Sequence, residues 1–229
     1  MRASELDPAF GLTTGLSYPL AEDFEGIYSP LSSFLLRYLE TADWQQRINW
    51  ARILGIQYLL LVDDPGVDGI DLVASESRYG VESLLFAIPD SAPPAWWPGS
   101  LSTVADPMEQ MEAIGSITRP ESVTIVAADL PHSSGARIEV LEQGTDRWRV
   151  AVQGEGGILV VRRAYQPLLR ARIDDVALTT LPVNFCLLGI EVPPGDHVVT
   201  VEASRRPESA AWIVSVATIV SLFWIGRRE

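Results

Sequence analysis

From Ala210 to Gly226 the sequence reads AAWIVSVATIVSLFWIG, 17 residues without a charge. At 1.5 Å per residue such a helix is roughly 25 Å long, at the short end of what a ~30 Å hydrocarbon core needs. Trp212 and Trp224 lie near its two ends, where interfacial aromatics settle, and Arg227 and Arg228 follow directly. A helix buried in a globular core carries a polar face, yet only Ser215, Thr218 and Ser221 interrupt this run. The run therefore predicts one membrane-spanning helix over 209–229, with everything before it outside the bilayer. The positive-inside rule puts Arg227 and Arg228 in the cytoplasm and the main domain outside the cell, against the opposing pair Arg205 and Arg206. The first residues, MRASELDP, do not have the basic-then-apolar pattern of a signal peptide. Two origins follow. The chain is the tail of a longer polytopic protein, or it is tail-anchored and faces the cytoplasm.

Ahead of the run lie two regions of different rhythm. From about Glu121 short apolar stretches recur every 8–12 residues, at 123–127, 135–142, 147–153, 158–163, 169–173, 176–181, 185–192 and 197–202, with Gly, Pro, Asp and Ser between them. Arg147 to Val152 (RWRVAV) alternates cleanly. That punctuation predicts an antiparallel β-sandwich over 121–208. Gly154 to Gly157 and Pro193 to Asp196 read as hairpin turns.

Residues 1–120 read as a small α/β region. Tyr28–Glu40 has apolar residues at 31, 34, 35, 38 and 39, a helical spacing. A second helix runs from Asp43, a good N-cap, to Leu54, with Gly55 as its stop. Ile56–Val62 (IQYLLLV) reads as a buried strand and Asp63 to Gly66 as the turn that ends it. Further strands are expected at 70–74 and 82–87, a proline-rich loop at 89–99 and a short helix at 107–114. The expected class is thus α+β: a small α/β region, a sandwich and one terminal membrane helix.

The net charge of −13 argues against nucleic acid as a partner unless basic residues are segregated. All 17 basic residues are arginine, and along the chain they look scattered, with no basic patch. A single cysteine, Cys186, excludes an internal disulfide and sits in an apolar run as a buried inert thiol. The paired carboxylates Asp63–Asp64 and Asp174–Asp175 offer oxygens to a hard cation, but both fall at turns, where Asp is favoured anyway. His132 and His197 lack partners at metal-ligand spacing, and His197, following a tight turn, is placed to bond a loop carbonyl. No nucleophile-elbow, phosphate-loop, dinucleotide or zinc motif occurs, so no catalytic, cofactor or metal residue is assigned. Trp96 and Trp97, in the proline-rich loop, have two readings. Exposed, they stack on sugar rings or dip into the membrane interface; buried, they plug the junction between the two regions.

From Gly156 to Val201 the sequence resembles the C-terminal extracytoplasmic β-domain of YfhO-type bacterial membrane proteins. That family shows Tyr-x-Pro-Gly-Trp-x-Ala-x-x-Asp-Gly, then an Asn, then Gly-x-x-Val-Pro-x-Gly-x-His-x-Val, then a last membrane helix. Tyr165, Pro167, Ala171, Asp174, Asn184, Gly189, Val192, Pro193, Gly195, His197 and Val199 fall on the pattern. Leu168, Leu169 and Asp175 depart from it, standing for the Gly, the Trp and the second Gly. Upstream, Ser29-Pro30-Leu31 with Arg37-Tyr38, the stretch Leu54–Leu60, and the segment 87–126 are also similar, so the likeness runs over nearly the whole chain.

The resemblance implies a parent that looks like a polytopic lipid-linked sugar transferase of the GT-C kind. Its catalytic acidic residues lie in a first extracytoplasmic loop that has no counterpart here, so none is carried over. The expected function is a non-catalytic accessory domain linked to lipid-linked sugar transfer or envelope glycan assembly. Its partners would be the bilayer, the parent's missing N-terminal membrane helices and a glycan. The alternatives are a membrane-anchored carbohydrate- or protein-binding module and a tail-anchored cytoplasmic scaffold. Leu169 is expected to fill the sandwich core where the family has Trp.

Overall fold

The computed structural model describes residues 30–78, 80–133, 135–144 and 147–203. The expected spanning helix, the arginine pairs at 205–206 and 227–228, and the first 29 residues lie outside them. Among the described residues no helix is long and apolar enough to cross a membrane.

The molecule is three layers deep. Helix α1 (Pro30–Thr41) is followed by α2 (Trp44–Ile53), then strands β1 (Tyr58–Leu61), β2 (Asp71–Arg78), β3 (Val81–Ala87), β4 (Ala95–Trp96) and β5 (Leu101–Thr103). Next come helix α3 (Pro107–Gly115) and strands β6 (Thr124–Val126), β7 (Arg137–Gln143), β8 (Arg147–Gly154), β9 (Gly157–Ala164) and β10 (Leu169–Ile173). The chain ends in β11 (Val176–Leu178), β12 (Thr180–Val183), β13 (Leu187–Val192) and β14 (Gly195–Ala203). One sheet has the order β11-β10-β14-β8-β7 and a second β12-β13-β9-β4; all their pairings are antiparallel.

The two sheets face each other as the expected sandwich. Trp148, Val150 and Val152 of β8, Leu169 and Ala171 of β10 and Val199 and Val201 of β14 meet Leu159, Val161, Leu188 and Ile190 from the second sheet. The other face of the second sheet is covered too. Ile158, Val160, Val183 and Leu187 pack with Leu35, Trp50, Ile53, Met111 and Ile114 of the helical layer. Cover on both faces is why β9 and β13 are nearly continuous apolar runs while β8, covered on one, alternates.

Local chemistry sets the helix ends. Asp43 caps α2 by accepting from the Gln46 backbone, and the Gln46 side chain accepts from the Asp43 N–H, closing a capping box. Asp106 caps α3, whose first residue is proline. The second half of α2 is buried on every side, against two separate cores, and so carries polar side chains that bond backbone. Asn49 donates to the Gly115 carbonyl at 2.7 Å, and Arg52 reaches the carbonyls of Gly69 and Pro89.

Four expectations are corrected. Gly154–Gly157 and Pro193–Asp196 are not hairpin turns: β8 and β14 lie in one sheet, β9 and β13 in the other, so both segments carry the chain across the sandwich. The stretch 123–127 is not a sandwich strand; β6 pairs in parallel with β5 beside the helices. Conversely, β4, from the proline-rich loop, joins the sandwich sheet through β9. Finally, β1 is not a buried strand. It forms a small sheet of order β1-β3-β2 on which Tyr58 is 59% exposed and Leu60, Val62, Leu72 and Val73 also face solvent.

Candidate functional site

Trp96 and Trp97 are 1% and 8% exposed, so neither offers a ring face to a sugar. Neighbouring residues of a strand point to opposite faces, and here this sends Trp96 into the helical core and Trp97 into the sandwich core. Trp97 donates to the Ser133 carbonyl at 2.7 Å and stacks on His132, ring centres 5.6 Å apart. The His132 Nδ1 accepts from the Ile158 N–H, so the proton is on Nε2, which donates to the Pro98 carbonyl. A Cβ on Gly157, where φ is +147°, would stand 2.6 Å from His132 Nδ1 and 2.8 Å from the Trp97 ring. The absent side chain is what lets the stack close.

The residues of the family pattern have structural surroundings. Asn184 is fully buried with a left-handed φ of +43°. Its backbone N–H donates to the Ile125 carbonyl and its Oδ1 accepts the Ile125 N–H, both at 2.8 Å, so one residue ties the β12–β13 turn to β6. The Tyr165 N–H donates to the Cys186 carbonyl at 2.7 Å. His197 donates from Nε2 to the Pro194 carbonyl at 2.9 Å, its ring 3.0 Å from where a Gly195 Cβ would be. The Pro167 carbonyl accepts from Arg170. Asp174, with φ +50°, opens the turn between β10 and β11. Leu169 is in the sandwich core at 1% exposure, and its neighbour Leu168 is 49% exposed. Burial pushes the Cys186 thiol up to about 12, which leaves it protonated and inert near neutral pH.

Of the paired carboxylates, Asp63–Asp64 is an exposed turn in which Asp64 accepts from the Gly66 N–H. Among the described residues no three of His, Cys, Asp and Glu gather closely enough to hold a metal ion.

The surface that does gather chemistry is the outer face of the five-stranded sheet. Residues alternate in and out along a strand, so β8 puts Arg147, Arg149, Ala151 and Gln153 on this face. β14 adds Asp196, Val198, Thr200 and Glu202; β10 adds Arg170 and Arg172; β7 adds Arg137 and Glu139. Across the strands these residues stand in rows. Thr200 lies in register between Arg149 and Arg172, and Glu202 between Arg147 and Arg170. Val198 and Ala151 form a row of small side chains beside them. Over that floor opens a shallow cavity of about 640 Å³ edged by Arg137, Glu139, Gln153, Asp196 and His197. A second hollow of about 280 Å³ adjoins it, lined by Arg147, Arg149, Arg172, Asp174, Asp175 and Thr200. Arg172 is paired with Glu202, whereas the Nε of Arg149 is buried without a hydrogen-bond partner among the described residues.

The arginines are therefore not scattered. Arg147 and Arg149 on β8, Arg170 and Arg172 on β10, are brought to one face because β14 inserts between their strands. The alternation R-x-R at both places was the available signal; which strand lies between them is not a local property. No family model, curated protein or solved structure matches the chain.

Proposed function

We propose that this chain is a non-catalytic binding module that holds a glycan of the cell envelope for a membrane protein of the YfhO-like kind, outside the cytoplasm. The observation that carries this reading is the open trough on the outer sheet face. It is wide, shallow and apolar at its floor (Ala151, Val198), and edged by side chains that donate and accept hydrogen bonds. A polymer of hydroxylated rings asks for that combination: a flat platform for ring faces and polar groups at the edges. The sequence pattern around Tyr165, Asn184 and His197 and the uncharged run Ala210–Gly226 support the membrane-protein context.

The test is calorimetric titration of envelope polysaccharide fragments into the full-length chain in detergent micelles. Filling the trough floor with Ala151→Trp should abolish binding while leaving the fold intact by circular dichroism. Binding that survives this change, or that no glycan shows, removes the reading. Turnover of a polyprenyl-phosphate sugar by the purified chain would remove its non-catalytic part. A protein contact elsewhere is favoured by the exposed apolar side chains Tyr58 and Leu60 of β1 and Val62 just beyond it. Leu60→Glu should then weaken co-purification with the parent's membrane helices, and unchanged recovery would discard this contact.

A further inference from the structure

We infer that the hollow between Arg149, Arg172 and Thr200 is an oxyanion subsite, and that the glycan held along the trough carries a carboxylate or a phosphoryl group. The inference rests on the glycan reading above and narrows its ligand class.

Two facts of register build the subsite. Arg149 and Arg172 flank Thr200 across β14. Adjacent strands are about 4.8 Å apart, so the two arginine backbones are roughly 10 Å apart, a span that two guanidinium groups close on one anion. Arg147, one row further along β8, lines the same hollow. The arginines are not equally committed. Arg172 is held by Glu202, which fixes its position and uses part of its charge. Neither Arg147 nor Arg149 has an ion pair with another described residue, and both line the hollow, so their charge is left for a ligand. Guanidinium groups bind carboxylate and phosphate through parallel N–H bonds, and the Thr200 hydroxyl between them supplies one more donor.

The far end of the hollow specifies the rest of the ligand. Asp174 and Asp175 line it. Carboxylates only accept, so they suit hydroxyl donors and repel a second negative charge. A polyanion with a charge at every short step is thereby disfavoured. One oxyanion flanked by hydroxyls, as in a uronic acid or a sugar joined through phosphodiester, meets both ends. The hollow opens beside the Val198–Ala151 floor, so the charged group and the neutral rings belong to one continuous ligand.

The full-length chain in detergent is titrated with an oligosaccharide in which uronic acids alternate with neutral sugars, with a polymer of neutral oligosaccharide units joined through phosphodiesters, with neutral dextran oligomers and with inorganic phosphate. The anionic polymers should bind, with affinity falling as salt rises. Arg149→Gln should weaken them about ten- to a hundredfold, the worth of a charge-assisted bond. Arg147→Gln should weaken them less, and Arg119→Gln, outside the sheet, not at all. Which of the two polymers binds more tightly decides between carboxylate and phosphoryl. Neutral dextran bound as tightly as the anionic polymers, with Arg149→Gln without effect, overturns the subsite and leaves the glycan reading standing. Phosphate bound in an Arg149-dependent manner with no glycan of any kind bound keeps the subsite and overturns the glycan reading. Arg149→Glu that binds the anionic polymers as tightly as the unaltered chain also overturns the subsite.

Discussion

The guanidinium of Arg162, on β9, lies directly over Gly55, the residue that ends α2: a Cβ built on Gly55 would stand 2.2 Å from Arg162 Nη1. From there Nη1 donates to the Ala92 carbonyl at 2.7 Å and reaches the Gly55 carbonyl at 3.5 Å. Burial lowers the Arg162 pKa below its ordinary value, but a guanidinium starts so high that it stays charged at neutral pH. One cation thus ties the helical layer to the sandwich through backbone carbonyls alone.

Gly55→Ala should cost about 1–3 kcal/mol in chemical denaturation, from the clash and from a φ of +69° that alanine resists. Arg162→Ala should cost a similar amount. The two changes should not add, because removing the arginine relieves the clash; a coupling of about 0.5–3 kcal/mol in the double-mutant cycle is expected. Strict additivity would show that the contact is incidental.

Leu168 and Leu169 are adjacent but oppositely placed, at 49% and 1% exposure. Leu169→Ala should destabilise by roughly 2–5 kcal/mol, as deletions of buried leucines do. Leu168→Ala should stay within about 0.5 kcal/mol. Equal costs, measured by urea titration, would put the register of β10 in error.

These two sites also show how far local sequence reaches. The capping box of α2 is written in Asp43 and Gln46, and the inward set of β8 in the alternation around Trp148 and Val150; both need only near neighbours. By contrast β1 and β9 are both apolar runs, and only one is buried. What differs is whether a second layer covers the outer face, which neither strand encodes. The corners at Gly154–Gly157 and Pro193–Asp196 have hairpin residues because they turn sharply, and turn residues do not say which sheet the next strand joins. The arginine face was hidden for the same reason, since β8 and β10 become next-but-one neighbours only when the last strand lies between them. Trp96 and Trp97 looked like a loop pair because β4 is two residues long, too short to show a period.

Cys186 provides a pH-dependent test. The thiol is raised by burial from 9.0 to about 12, so between these values the unfolded chain releases a proton that the folded chain keeps. The folded state then binds more protons, and stability falls as pH rises through this window, by up to about 4 kcal/mol from this group. Cys186→Ala should flatten that fall. At pH 9 iodoacetamide should label the native thiol roughly two to three orders of magnitude more slowly than in denaturant, since only the thiolate reacts. Rapid native labelling would mean that the turn around Cys186 opens readily.

Asn184 does two jobs that substitutions can separate. Its left-handed backbone shapes the β12–β13 turn, and its side chain replaces a missing strand bond to Ile125. Asn184→Gly keeps the first and loses the second, leaving the Ile125 N–H buried without an acceptor, at about 1–3 kcal/mol. Asn184→Ala loses both, because alanine resists a φ of +43°, and should cost about 1 kcal/mol more than the glycine variant. Asn184→Asp keeps an acceptor but adds a charge at a site without solvent, so it should be worse than glycine at neutral pH and improve as pH falls and the carboxyl is protonated. The order of the three in thermal denaturation is the check. An aspartate variant as stable as the parent at neutral pH would show that water reaches this turn, against the full burial of Asn184.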